Sequence, residues 1–213
     1  MNHKKIKRIK NKYGLKTSIR TINPYKSIKR KTEEHCVFNN ILNRQFNQNI
    51  PGSVFGTDIS YIPFNNSFVY LSVVKDIASR EIVVWEVSKN IQMNIVLNTV
   101  KKLKDEVGDL NNALLHSDQG FHYTNPQYIH RLKDLGITQS MSRLGNCLDN
   151  APTESFFGHF KAECELDNCD TFEDLSSKID DFMRYYNTDR PPWNLQKMTP
   201  VKYRDHLLKN LAK

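Results

Sequence analysis

The chain has 213 residues and a formal net charge of +8, with 38% hydrophobic and 25% charged residues. This composition is typical of a soluble globular protein with one good-sized domain. No apolar run approaches the roughly 18–20 residues that cross a bilayer, and no apolar segment of a secretory signal follows the N-terminal charges. The sequence therefore predicts a cytoplasmic protein that makes no use of a membrane.

Positive charge is concentrated in the N-terminal quarter of the chain. Residues 1–50 hold 13 Lys and Arg against two Glu, a net charge of +11, so residues 51–213 carry −3. This excess of positive charge predicts that the N-terminal arm binds a polyanion, with nucleic acid the first candidate. The alternative interpretation is a solvated basic tail without a partner. The candidate DNA-contacting cations of the arm are Lys4, Lys5, Lys7, Arg8, Lys29, Arg30 and Lys31.

For the N-terminal region, the sequence pattern predicts two short helices and little other regular structure. A basic helical pattern over 2–12 stops at Gly14, an extended linker follows over 15–32, and apolar spacing predicts a short helix over 33–46. The sequence Asn-Ile-Pro-Gly at 49–52 then marks a boundary.

From residue 54 onward, the hydrophobic pattern predicts three strands in succession and then strands that alternate with helices. Three β-rich runs in quick succession read as an antiparallel meander, and shorter strands and amphipathic helices follow. The order β-β-β-α-β-α-β-α implies a mixed five-stranded sheet with helices on both faces. The predicted strands span 54–62, 68–78, 80–88, 112–118 and 137–141, and the predicted helices about 90–107, 125–135, from 149–152 onward, 171–187 and a short one after Pro200.

Three carboxylates stand at suggestive places in this pattern. Asp58 lies inside the first strand, Asp118 ends the fourth, and Glu154 lies in the first turn of the helix after a polar loop at 142–150. Taken singly, they read equally well as a paired strand acid, a turn acid and a favourable acid at a helix N-terminus. Taken together, they would offer the hard oxygen ligands that Mg²⁺ prefers, and two such ions can drive in-line phosphoryl transfer.

A family resemblance decides between these interpretations. The segments TDISYI, HSDQGFHYTNPQY and GNCLDNAPTESFFGHFKAE, with 35 residues between Asp118 and Glu154, closely resemble transposases of the bacterial insertion-sequence-three family. The match is to the second-reading-frame protein, whose core is like retroviral integrase. YYNTDRPPWNLQKMTPVKYR is similar to that family's C-terminal signature, so the resemblance covers about residues 50–205.

The resemblance implies an RNase H-like fold and a metal-binding Asp-Asp-Glu triad at Asp58, Asp118 and Glu154. It implies DNA strand cleavage and strand transfer with Mg²⁺, for which Mn²⁺ can substitute, and two ions in the site. We accordingly divide the chain into a basic arm with a partial helix-turn-helix-like segment and linker (1–50), an integrase-like catalytic core (51–190) and a C-terminal helical tail (191–213).

The resemblance also implies partners and contact residues. DNA, as element ends and as target, is the expected substrate; a homo-oligomer on DNA and an upstream-frame helix-turn-helix protein are the expected protein partners. Lys161, two helical turns after Glu154, is the family's basic residue that would hold a phosphate, although a solvated lysine reads the same way. The other candidate DNA contacts near the triad are Gln119, Arg143 and Asn146.

Two departures from the family keep an alternative open. Phe55 and Gly56 stand where the family usually has Trp, and the helix-turn-helix-like segment before the core looks short. The alternative hypothesis is a catalytically idle, truncated DNA-binding fragment that interferes with a full-length transposase. The intact triad favours the enzyme.

Overall fold

The computed structural model describes residues 2–14, 36–166 and 169–212, with the side chain of residue 147 left aside. The chain divides into two compact units, Met1–Thr32 and Glu33–Lys213. In the first unit, helix α1 (His3–Lys12) begins at Asn2, whose side chain accepts from the Lys4 N–H, and ends before Gly14, whose φ is +63°. This confirms the helix predicted over 2–12. No residue of α1 is buried.

The second unit is built on a five-stranded mixed sheet in the order β3-β2-β1-β4-β5. The first three strands form the predicted antiparallel meander, and β4 and β5 add to it in parallel. The strands are β1 (Val54–Phe64), β2 (Ser67–Asp76), β3 (Ile82–Ser88), β4 (Leu114–Ser117) and β5 (Thr138–Met141).

Helices cover both faces of this sheet, as the sequence pattern predicts. On one face α2 and α4 pack with Phe55, Leu115 and Met141 in one apolar core. On the other face α5 and α6 pack with Val73 and other strand residues in a second core rich in phenylalanine. The helices are α2 (Met93–Val107), α3 (Phe121–Thr124), α4 (Pro126–Asp134), α5 (Ala151–Glu163), α6 (Phe172–Thr188) and α7 (Pro200–Leu211).

The helix predicted over 33–46 is wrong in its described part, because residues 36–50 form no helix. The N–H groups of Ile41 and Leu42 donate to the Ser140 hydroxyl of β5 instead of to carbonyl groups within a helix. Asn43 and Arg44 then take left-handed φ values of 41° and 62°. Of the apolar residues at helical spacing, Leu42 is buried and Phe38 packs against the core, whereas Val37 and Ile41 are exposed.

Two smaller features are not predicted by the sequence pattern. A one-turn helix, α3, fills the connection between β4 and α4, and a 3-10 turn over Cys147–Asn150 leads straight into α5. In the described parts of the chain, none of the helices is long and apolar enough to cross a membrane.

Candidate active site

The β1–β4 junction brings two of the three carboxylates together. The parallel register pairs Val54 with Leu114 and Gly56 with His116, so continuing it by two residues sets Asp118 beside Asp58. The fourth strand ends at Ser117, whereas β1 runs on to Phe64. The sheet therefore opens at Asp58 and Asp118, and strand ends of this kind are where α/β sheets place their sites.

Asp58 points toward the α5 side of the sheet. It lies opposite Val73 in the antiparallel ladder, and residues directly opposite share a face. Val73 belongs to the apolar core under α5 and α6. The Asp58 carboxylate is half-buried, and its Oδ1 accepts the Ile59 N–H at 2.8 Å.

A tight turn holds Asp118 at the end of β4. Its Oδ1 accepts the Gly120 N–H at 2.7 Å, and a Cβ placed at Gly120 would lie 2.7 Å from the same oxygen. A side chain at position 120 would therefore require the Asp118 carboxylate to shift. Gln119 lies between them, and its Nε2 donates to the Ser142 carbonyl at 3.0 Å.

The charges of both aspartates affect the pKa of the buried Tyr123 hydroxyl. Burial raises its pKa well above the ordinary value, and the charges of Asp58 and Asp118 raise it further, as does Tyr128. Because two carboxylates act on one buried hydroxyl, both lie within electrostatic range of a single point. This agrees with their placement by the strand register.

Glu154 reaches this region on the first turn of α5. The helix sits close on β1 at Gly56, where a Cβ would lie 2.6 Å from the Thr153 Oγ1 and 3.7 Å from the Asn150 Oδ1. From β2, the Lys75 Nζ donates to the Pro152 carbonyl at 3.1 Å. Glu154 follows Thr153 and is half-buried in the acidic first turn of the helix.

The three acids share a region, but they are not gathered into a ready-made ion cage. Among the described residues, no group of three His, Cys, Asp or Glu side chains is placed to hold a metal ion. The triad thus stays a prediction. Two features of the fold support it, the register of β1 and β4 and the packing of α5 against β1 at Gly56.

The loop before Glu154 is organised by charge. Arg143, predicted to contact DNA, donates Nε and Nη2 to the Asp149 carboxylate at 2.8 Å each. Asn146, the other predicted loop contact, accepts from Arg44 Nη2 at 2.9 Å. The structure therefore ties both predicted DNA contacts to protein groups around Asp149.

His116, two residues before Asp118, is a buried structural histidine. Its Nδ1 lies 2.8 Å from the Ser140 hydroxyl and its Nε2 3.1 Å from that of Ser142. Burial lowers its pKa to about 4, so the ring is neutral at pH 7. Nearby His122 lies 3.0 Å from the Ile91 carbonyl through Nε2.

The remaining predicted cations lie on α1, on α5 or outside the described residues. Lys161 is exposed in the last turn of α5. On α1 the exposed predicted cations are Lys4, Lys5, Lys7 and Arg8, while Lys29, Arg30 and Lys31 fall outside the described residues.

The sequence did not indicate the residues that hold the loop before Glu154 and the first turn of α5 in place. Arg44 and Asn40 bind Asp149 across more than 100 residues, and no local pattern could show this. For Lys75 a signal existed, because a lone lysine in the apolar run LSVVKDIA is unusual inside a buried strand. The sequence pattern indicates Asp149 only as a helix-start residue and not as a loop organiser.

Comparisons with known proteins identify the family. Integrase core domain models match residues 48–147 and again 154–208. The putative transposase InsK of insertion sequence element IS150 from Escherichia coli is 34% identical over 206 residues, covering 96% of this chain and 72% of that protein. The chain belongs to the bacterial insertion-sequence-three transposase family, with its integrase-like core. This confirms the resemblance drawn from the sequence motifs.

Two further similarities bear on this transposase-family chain. An uncharacterized transposase-like protein of Haemophilus influenzae is 36% identical over 211 residues, covering 98% of this chain and 95% of that protein. The HTLV-2 integrase catalytic core domain in complex with magnesium, in its trimeric form, superposes with a TM-score of 0.57 at 14% identity, covering 73% and 97% of the two chains. The structural likeness confirms the RNase H-like fold.

Proposed function

We propose that this transposase-family chain cleaves DNA at element ends and joins the freed 3′-OH to another phosphodiester, with Asp58, Asp118 and Glu154 as its acidic residues. The observation that supports the proposal is the β1–β4 register, which pairs Gly56 with His116, each two residues before one of the aspartates. Polynucleotidyl transfer is the activity that family membership implies. The triad assigns this activity to particular residues.

The donor set fits a small divalent cation. Mg²⁺ is usually held by one or two carboxylates together with waters and substrate phosphates, and not by an all-protein cage. Asp58 and Asp118, which the β1–β4 register would bring together, and Glu154 from α5 would suit that mode, and the HTLV-2 integrase core, which shares this fold, was solved in complex with magnesium. We infer two ions, Mg²⁺ or Mn²⁺, held by these three residues.

The chain's own residues divide the remaining work. Bound ions would supply Lewis-acid stabilisation of the attacking and leaving oxygens. Asp58 would present its acceptor oxygens from β1, and Asp118 from the turn that follows β4. Glu154 completes the set from a helix, and Lys161 on the same helix would hold a DNA phosphate two turns away.

Partners follow from the same proposal. Element ends and target DNA are the substrates, and the basic α1 supplies sequence-independent phosphate contacts. Joining two ends calls for a homo-oligomer on DNA, in keeping with the trimeric form of the HTLV-2 integrase core. An upstream-frame helix-turn-helix protein is the proposed source of end recognition.

Replacing Asp118 tests the assignment. Asp118→Asn keeps the size and the turn acceptor but loses the charge, so we expect Mg²⁺-dependent nicking or joining of end-containing DNA to fall by roughly 100-fold or more. DNA binding in a mobility-shift assay should change little. The matched control is Asp134→Asn, which alters an exposed aspartate at the end of α4.

The idle-fragment hypothesis predicts a different result. Under it, wild type and Asp118→Asn would bind DNA with the same salt dependence, and neither would cut it with Mg²⁺ or Mn²⁺. A wild-type rate equal to that of Asp118→Asn would exclude the triad as the catalytic centre.

A further inference from the structure

The Asp149 carboxylate is the most heavily bonded acid in the described chain near the site. Its side chain is 0% exposed. It accepts five hydrogen bonds, from Asn40 Nδ2 (2.9 Å), Arg44 Nε (2.7 Å), and the Arg143 N–H (3.0 Å), Nε (2.8 Å) and Nη2 (2.8 Å). Charge-assisted bonds of this length are among the stronger ones in proteins.

These bonds keep Asp149 ionised despite its burial. The hydrogen bonds from Arg143 hold the pKa of Asp149 well below the usual range against the opposing effect of desolvation, and the single bond from Arg44 lowers it further. Separating a buried carboxylate from its partners would leave an uncompensated buried charge, which is strongly destabilising. The contact is therefore a fixed point in the loop.

Arg44 reaches Asp149 from a strained stretch of backbone. Asn43 and Arg44 both have positive φ, a conformation that costs free energy in non-glycine residues and persists only where the surroundings enforce it. The Asn40 side chain accepts the Asn43 N–H at 2.8 Å, and Arg44 Nη2 also donates to the Asn146 Oδ1 at 2.9 Å. Thus Arg44 ties the segment before the core to two positions of the loop.

The loop's fixed point lies directly before the helix that carries Glu154. Asp149 belongs to the 3-10 turn Cys147–Asn150, which continues into α5 without a break. The next residue, Asn150, lies against Gly56 of β1, two positions from Asp58. A shift of Asp149 would therefore be passed to the first turn of α5 and to Glu154.

We propose that Arg44 and Asp149 form a latch that positions the loop over 142–150 and the first turn of α5, and so sets Glu154 against the two aspartates. The latch couples the segment preceding the core to the catalytic helix. The consequence for DNA chemistry rests on the function proposed above, whereas the positioning of loop and turn does not.

Arg44→Gln is the sharpest variant for the test. It leaves Asp149 paired with Arg143, so the buried charge keeps a partner and the fold is retained. The matched control is Arg204→Gln, because Arg204 is equally exposed (38% against 40%) and pairs with the shielded Glu81 carboxylate on another part of the molecule. Both variants remove one arginine; Arg44 pairs with Asp149, and Arg204 pairs with Glu81 and, at 3.3 Å, with its neighbour Asp205.

Hydrogen exchange of the metal-free, 213-residue chain measures the latch directly. In Arg44→Gln we expect amides of residues 143–155 to exchange about tenfold faster, as for the loss of a charge-assisted bond, with those of β2 unchanged. Arg204→Gln should leave the loop within about twofold of wild type. With end-containing DNA and Mg²⁺, Arg44→Gln should cleave about tenfold more slowly while binding DNA as before.

The outcomes separate the two proposals. Loop exchange equal in Arg44→Gln and Arg204→Gln would overturn the latch, and faster exchange with undiminished cleavage would overturn its positioning role. If the wild type cleaves no DNA, the proposed function fails, and the exchange comparison alone then decides whether Arg44 fixes the turn. Arg44→Lys, which keeps the charge but not the forked geometry, should lie between wild type and Arg44→Gln.

Discussion

Lys75 is a lysine enclosed within the core beneath the catalytic helix. It lies opposite Gly56 in the β1–β2 ladder, and its Nζ donates to the Pro152 carbonyl and to the Tyr186 hydroxyl at 3.1 Å each. It also lies 5.7 Å from the ring centre of Phe156. One buried amine thus joins the sheet to α5 and α6, directly behind the turn that carries Glu154.

Burial of Lys75 makes stability depend on pH in a definite direction. Desolvation, then Arg80 and Arg190, lower its pKa from 10.5 to about 7. Between those values the unfolded chain binds a proton that the folded chain has released, so the free energy of unfolding rises with pH. Below pH 7 both states are protonated, and the unfavourable contribution is constant.

Lys75→Met removes this dependence. We expect the wild type to gain stability relative to the variant by roughly 2 kcal/mol between pH 7 and pH 9, measured by urea unfolding at each pH. Lys133→Met, which alters an exposed lysine on α4, should show no such pH-dependent difference. Parallel pH profiles for wild type and Lys75→Met would show that the buried amine stays protonated.

At the scale of the element, the contact of α5 with β1 decides where Glu154 stands. Gly56 leaves the space that the first turn of the helix occupies, and Thr153 fills it with a buried side chain. The Thr153 hydroxyl has no hydrogen-bond partner among the described residues. Close approach, and not a polar contact, is therefore what this glycine provides.

Gly56→Ala should push α5 away from β1. With a Cβ 2.6 Å from the Thr153 Oγ1 and 3.2 Å from the Ile77 Cδ1, we expect a loss of about 1–3 kcal/mol in the free energy of unfolding, together with slower DNA cleavage. Adding Thr153→Ala removes the nearest clashing atom and should recover at least half of the lost stability. A double variant no more stable than Gly56→Ala would contradict this account of the contact.

At the scale of the whole molecule, charge and chemistry occupy different units. The basic α1 lies in the unit Met1–Thr32, and the sheet with its acids lies in Glu33–Lys213. An exposed cationic helix suits phosphate contacts that carry no sequence information. We therefore expect the arm to govern how tightly DNA is held, and the core to govern what is done to it.

Neutralising α1 tests this division of labour. Replacing Lys4, Lys5, Lys7 and Arg8 with Gln should reduce the salt dependence of DNA binding, lowering the slope of log K against log salt by up to about 3–4, one phosphate contact per cation. The control replaces four lysines of the second unit with Gln: Lys101, Lys104, Lys133 and Lys209. Equal losses in both sets would mean that binding follows net charge and not the arm.

Much of this fold could be predicted from the sequence, because its elements are locally encoded. Alternating apolar residues mark β1 to β3, and Pro152 at the start of α5 marks a helix whatever surrounds it. The family motifs likewise single out Asp58, Asp118 and Glu154 from the sequence alone. The prediction over 33–46 failed because the backbone N–H groups of Ile41 and Leu42 donate to the Ser140 hydroxyl of β5, a partner that lies about 100 residues away along the chain.

The sequence by itself determined the family, the fold class, the five strands, most of the helices and the three candidate acids, since each depends on short-range pattern or on motif. Only the tertiary structure decided how the helices, the strands and the three acids are held in place. It supplied the register of β1 and β4, the space at Gly56, the contact of the Lys75 amine with α5, and the latch of Arg44 and Asp149. These contacts join residues far apart in the chain, and their free energy comes from burial and pairing that exist only once the chain has folded.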